Sequence, residues 1–257
     1  MRVRAAATLL ILTLFIYTGI TAQAEDAYHV FLPFVVSPPR LENGDFEGGQ
    51  SHDNRYWIWP WHQDYVGWFN EVRPGIGWTA WWVENDFCPR NEEYITGRPE
   101  FTLIFDYEDP HRVTAGHNAA KQFTFWRCGH FGLYQQVSVS GRDNYKVVLQ
   151  AHVWYTSCSS DLYGEIPKDS DCNPINPNEY MTIRIGVDPT GGNQYWSGNI
   201  LWSDAYSRYG HYGEALISPE FMVAEPSIVT IWVEALSSQP LKHNDLYVDS
   251  VVLEYVP

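Results

Sequence analysis

The chain has 257 residues, 45% of them hydrophobic and 16% aromatic, and a formal net charge of −15 from 16 basic and 31 acidic groups. That excess of acid repels phosphate backbones and anionic membrane surfaces, so nucleic acid is excluded as a partner. The apolar content excludes global disorder, while 12 Trp and 17 Tyr are more rings than a core of this size needs.

Residues 1–24 read as an export signal. Arg2 and Arg4 form a basic start, Ala5 to Ile20 is apolar, and Ala22-Gln23-Ala24 is a small-residue cleavage site. The apolar run is about 16 residues, short of the roughly 20 that span a bilayer. Cleavage would leave 233 residues with 14 basic and 31 acidic groups, a net of −17. No later segment reaches membrane length, so no span is expected after cleavage. Residues 25–40, with Pro33 and Pro38-Pro39, read as an extended lead. Residues 41–257 read as one domain.

From there strand signals recur, as β-branched and aromatic runs cut by Gly, Pro, Asn and Asp. Strands are predicted at 77–84, 101–106, 118–126, 132–139, 145–156, 180–187, 200–206, 220–224, 228–236 and 246–256. Gly141 to Asn144 reads as a hairpin turn, and Asp188-Pro-Thr-Gly-Gly192 as a sharp strand end. Helical periodicity is nearly absent. About ten antiparallel strands in one domain imply an all-β, two-sheet sandwich or jelly roll.

Strand parity separates the faces. Val147, Leu149, Ala151 and Val153 point inward, with Gln150, His152 and Trp154 outward. Ile183 and Ile185 leave Arg184 outward, and Ile231 and Val233 leave Trp232 and Glu234 outward. Gln122, Thr124 and Trp126 are taken as the outward set beside Phe123 and Phe125. Flat rings among planar polar groups suit sugars, whose C–H faces stack on indoles while hydroxyls pair with donors and acceptors. Trp126, Gln150, His152, Trp154, Arg184, Trp232 and Glu234 are therefore the predicted ligand-binding set, and a polysaccharide the predicted partner. Further rings gather at Tyr56 to Trp61, at Trp68, Trp78, Trp81 and Trp82, and at Tyr206, Tyr209, His211 and Tyr212. These either bind a ligand or plug the end of the sandwich.

Export would put the four cysteines in an oxidising compartment, where three pairings are open. Cys158–Cys172 is favoured because the two bracket one polar loop, and Cys88–Cys128 then follows by elimination.

Leu41-Glu-Asn-Gly-Asp-Phe-Glu47 opens the domain, Gly132-Leu-Tyr-Gln-Gln-Val-Ser-Val139 crosses its middle, and Asn244 to Leu253 closes it with Asp-Ser-Val-Val-Leu. Over residues 41–256 this frame resembles the galactose-binding-domain-like β-sandwiches, which include many carbohydrate-binding modules of secreted bacterial proteins. The resemblance implies a structural calcium ion, held where the first and last strands meet. The matching positions are Glu47 and Asp249, whose carboxylates are hard ligands suited to Ca²⁺.

Enzyme motifs are sparse. The carboxylate pattern of jelly-roll glucanases is absent, as are HExxH and GxSxG. Gln150-Ala-His152 with Arg184 echoes the arrangement of jelly-roll polysaccharide lyases, although the companion tyrosine-rich motif is missing. The expectation is a secreted, calcium-stapled carbohydrate-binding protein. A lyase and a structural or adhesive surface protein are the alternatives.

Overall fold

A strand that buries one side must hydrate or cover the other, and that requirement repeats through this chain. The computed structural model describes residues 39–51, 71–84, 88, 98–156, 180–210 and 212–257, all within the unit Ser37–Pro257. The export segment, the lead up to residue 38, the rings from Tyr56 to Trp68, His211 and the pair Cys158 and Cys172 lie outside the described residues.

The strands are β1 (Thr79–Trp82), β2 (Glu100–Phe105), β3 (Asn118–Thr124), β4 (Gly129–Val139), β5 (Asp143–Thr156), β6 (Met181–Asp188), β7 (Leu201–Trp202), β8 (Leu216–Ile217), β9 (Phe221–Val223), β10 (Ser227–Ser237) and β11 (His243–Val256). Each predicted strand is present. The two-residue β8 was not predicted, and the strand predicted at 200–206 is only the two-residue β7. One sheet runs β1-β4-β10-β6-β7 and the other β2-β3-β11-β5-β8, with β9 also paired to β5. The described strands pair antiparallel, and the two sheets make an all-β sandwich.

The core follows parity. Val147, Leu149, Ala151 and Val153 of β5 join Val229, Ile231, Val233 and Ala235 of β10 and Ile183, Ile185 and Val187 of β6 in one buried cluster. Each large aliphatic side chain so buried contributes about 1.5–3 kcal/mol. Beside β4, the described pair Cys88–Cys128 forms the disulfide reached by elimination, with Cα atoms 5.7 Å apart.

Two sequence expectations are corrected. The turn at 141–144 is not a hairpin, because β4 lies in one sheet and β5 in the other, so the chain arches between layers. Arg142 takes a left-handed φ of 70° to make that arch. On β3 the inward and outward sets are reversed. Gln122 pairs in register with Phe101 and Leu246, both in the core, while Lys121 pairs with outward Tyr247. Gln122 is thus buried between the sheets, its amide hydrogen-bonded to nothing.

Candidate functional site

The outer face of the five-stranded sheet is built from two rows. Tyr134, Trp232, Gly186 and Trp202 lie across β4, β10, β6 and β7 in one row. Trp81, Gly132, Glu234 and Arg184 lie across β1, β4, β10 and β6 in the next. The glycines are required by their neighbours. A Cβ at Gly186 would stand 2.7 Å from the Trp202 ring, and one at Gly132 would stand 1.8 Å from the Val233 carbonyl oxygen and 2.9 Å from Trp81 Nε1. Their absence lets both indoles lie down against the sheet.

Aromatic contacts then knit the face together. Tyr195, from the segment after β6, stacks on Trp81 with centroids 5.2 Å apart and planes 14° apart. Trp81 meets Trp232 edge-on at 5.7 Å, and Tyr134 covers the other side of Trp232 at 4.7 Å. Trp232 is fully buried as a result, with Trp81 and Ile200, in a second small core. The indole N–H groups of Trp81 and Trp232 are buried without a hydrogen-bond acceptor.

A polar triad sits among these rings. Arg184 Nε donates to Glu234 Oε1 at 2.6 Å and its Nη2 to Oε2 at 3.0 Å, a forked pair. His130 Nε2 donates to the same Oε2 at 3.2 Å. Burial pushes the Glu234 carboxyl up, but the His130 and Arg184 hydrogen bonds outweigh it and hold it below the usual carboxylate range. Arg184 lies over Trp202 at 4.7 Å and is 37% exposed, against 3% for Glu234. Trp196, beside Tyr195, is 67% exposed. The open surface is therefore aromatic: Arg184 over Trp202, and the exposed Trp196 set edge-on to Tyr195 at 88°.

The carboxylates on these strands are too far apart for a glycosidase pair. Asp188 is the other outward carboxylate on these strands, four residues along β6 from the level of Glu234. At roughly 3.3 Å per residue that is about 13 Å, beyond the roughly 9.5 Å that a paired-carboxylate glycosidase allows.

The outer face of the six-stranded sheet carries the rest of the predicted set. Gln150, His152 and Trp154 project from β5 beside Asp245, Tyr247 and Asp249 of β11. His152 is fully buried. It stacks on Tyr247 at 4.8 Å, meets Tyr212 edge-on at 4.2 Å, and accepts a hydrogen bond at Nε2 from Arg112 Nη1 at 2.9 Å. Arg112, from the single turn Pro110–Arg112, is also 4.8 Å from the Tyr247 ring and 5.4 Å from Trp154. Tyr247 donates to Asp245, which Lys121 pairs at 3.2 Å. Burial pushes the Tyr212 and Tyr247 hydroxyls far up, so both stay protonated. Cation, rings and acid here are largely paired with one another, with Asp245 Oδ1 left buried and without a hydrogen bond.

The predicted platform thus divides. Gln150, His152 and Trp154 lie on one face of the sandwich; Arg184, Trp232 and Glu234 lie on the opposite one. Trp126 belongs to the β3–β4 turn, with φ 54° and its N–H donating to Leu241 O. The lyase triplet Gln150, His152 and Arg184 does not assemble, for the same reason. Sequence reasoning did not single out His130, Tyr195 and Trp202, and left Trp81 among the loop rings. The signal that could have found them was an isolated glycine at the outward parity of two strands, Gly132 and Gly186.

Glu47 and Asp249 each bond the segment 114–118. Asp249 Oδ2 accepts from Thr114 N, Thr114 Oγ1 and Ala115 N at 2.7–3.1 Å, and Oδ1 from Ser250 N at 2.6 Å. Glu47 Oε1 accepts from His117 N and Asn118 N at 2.7 and 2.8 Å. N–H donors and a cation compete for the same lone pairs, and those of buried Asp249 are taken. As arranged, Asp249 is occupied by N–H and O–H donors, while Glu47 keeps Oε2 near the buried, unpartnered Asn118 Oδ1; the chelator experiment below tests the ion directly. Among the described residues no group of three or more His, Cys, Asp or Glu is placed to hold a metal.

No protein-family model matches the chain, and no curated protein does. Among solved structures it is similar to a family 61 carbohydrate-binding module in complex with β-1,4-galactotriose, at 12% identity over 71% of this chain and 91% of that one, TM-score 0.41. It is similar to a family 4 carbohydrate-binding module at 11% identity over 70% and 95%, TM-score 0.34. A family 22 module from Clostridium thermocellum is similar at 12% identity over 70% and 86%, TM-score 0.34. Resemblances this distant fix no ligand.

Proposed function

We propose that the chain is a secreted carbohydrate-binding protein, and that the outer face of the five-stranded sheet takes the glycan. The observation that carries this reading is the part-open surface of the Arg184 guanidinium on the Trp202 ring, on the same sheet face as the cluster of Trp81, Tyr195 and the exposed Trp196. A solvated sheet face ordinarily carries short polar groups and lysines. Rings and a guanidinium plane in their place offer stacking for the C–H faces of a sugar and donors for its hydroxyls. The sequence frame shared with galactose-binding-domain-like modules supports the same class. The export-type N-terminus supports secretion, as does the disulfide Cys88–Cys128. Among the described residues no helix is long and apolar enough to cross a membrane.

The test is affinity electrophoresis and titration calorimetry of residues 25–257 against a panel of soluble polysaccharides. Trp202→Ala, a change on a two-residue edge strand, should weaken binding about tenfold or more with the melting temperature little changed. Unaltered binding by Trp202→Ala would remove this face from the function. Wild-type protein that retains no glycan would favour the structural or adhesive alternative.

A further inference from the structure

The two-row face carries few formal charges, and their arrangement bears on the kind of glycan it admits. Among the described outward residues of β1, β4, β6, β7 and β10, the formal charges are Arg184, Glu234 and Asp188. Arg184 is the cation a passing ligand would meet, since it is partly exposed. Yet two of its nitrogens are already forked onto Glu234, and His130 adds a third donor to that carboxylate. Glu234 itself is almost wholly buried, so it offers the ligand no acceptor and serves to neutralise the guanidinium from beneath. With Asp188 counted, the face has a net charge of −1, on a chain whose net charge is −15.

Resting on the binding reading above, we infer that Glu234 is the specificity-determining residue of this face, restricting it to uncharged sugars by consuming the charge of Arg184. A neutral glycan meets stacked rings and the remaining N–H of a paired guanidinium. A uronate must instead compete with Glu234 for that guanidinium, in a field of its own sign. Exclusion by like charge is as much a part of the selectivity as attraction by the rings.

The inference has a direct chemical test, because oxidation at C6 turns a neutral hexose polymer into its uronate without altering the linkage. Soluble cellulose, mannan and galactan are each titrated beside their C6-oxidised forms, with wild-type protein, Glu234→Gln, and Glu234→Gln/Arg184→Met. Wild type should bind the best neutral polymer at least about tenfold more tightly than its oxidised form at low salt, and added salt should narrow the gap. Glu234→Gln unburdens Arg184, so its preference should move toward the oxidised form by about tenfold or more, and that gain should vanish in the double variant. Near-ultraviolet circular dichroism verifies that each variant is folded. Should Glu234→Gln not fold, the wild-type comparison still overturns the inference if the oxidised form binds as tightly as the neutral one.

Wild-type protein that binds the oxidised polymer as tightly as the neutral one overturns the inference and leaves the binding reading standing. So does a folded Glu234→Gln with an unmoved preference. If neither form of any polymer binds, the binding reading itself fails and the inference falls with it.

Discussion

Trp232→Ala separates a structural tryptophan from a ligand-stacking one. Parity puts Trp232 on the outside of β10, where a stacking role would leave it partly open, but Trp81 and Tyr134 cover it completely. A tryptophan side chain buries up to about 250 Å², which at about 25 cal/mol per Å² amounts to roughly 6 kcal/mol. A compact unfolded chain already hides part of that area, which lowers the figure to about 5 kcal/mol. The indole N–H is buried without an acceptor, and deleting it returns about 2 kcal/mol. The net cost is about 3 kcal/mol, at the low end of the roughly 3–5 measured for large aromatic truncations. For a domain of this size that lowers the melting temperature by about 6–12 °C. Urea unfolding followed by circular dichroism measures it. Trp232→Phe, which keeps most of the packing and discards the unpaired N–H, should stay within about 1 kcal/mol of wild type. A Trp232→Ala protein that melts with wild type would refute the second core, and loss of glycan binding at unchanged stability would return Trp232 to the ligand.

Three further outcomes are expected. Asp249→Ala should cost about 2–4 kcal/mol, because several N–H groups of the 114–118 segment and Ser250 lose a charged acceptor; a chelator should leave the wild-type melting curve unchanged, and a fall of several degrees would mean that Glu47 and Asp249 share a cation after all. Cys88→Ser/Cys128→Ser opens a loop with a sequence separation of 40 and should lower stability by about 4 kcal/mol in urea titrations. The surface pair His117–Asp106, with Nδ1 2.8 Å from Oδ2, raises the histidine above its ordinary 6.5 chiefly through that hydrogen bond, and lowers the aspartate below its ordinary 3.8. Its contribution on the histidine side is full below pH 6.5 and fades as pH rises through the raised value; on the aspartate side it is full above 3.8 and fades as pH falls through the lowered value. An NMR titration should show His117 above its ordinary value and Asp106→Asn returning it there; no difference between the two would exclude the pair.

Reading parity from the sequence succeeded where a strand carries one consistently apolar side and failed where it does not. β5 alternates cleanly over Val147, Leu149, Ala151 and Val153, and its outward Gln150, His152 and Trp154 are outward in the structure. β3 reads Asn-Ala-Ala-Lys-Gln-Phe-Thr, with apolar residues at both parities. Its inward side was decided by Phe101 and Leu246 on the neighbouring strands, and neither can be located from β3 itself. Trp232 shows a different failure. Its parity was right, but an outward residue is exposed only if nothing else lies over it, and the ring of Trp81 arrives from a strand about 150 residues earlier.

By itself the sequence determined the all-β class, the strand positions and the alternation within most strands, because a period of two is written locally in side-chain polarity. What the tertiary structure alone decided is which strands share a sheet. Trp154 and Arg184 each point outward, yet β5 joins one layer and β6 the other, so their side chains leave the sandwich on opposite sides. Sheet membership is set by backbone pairing between distant segments, and a backbone N–H and C=O carry no residue-specific signal of the partner they take.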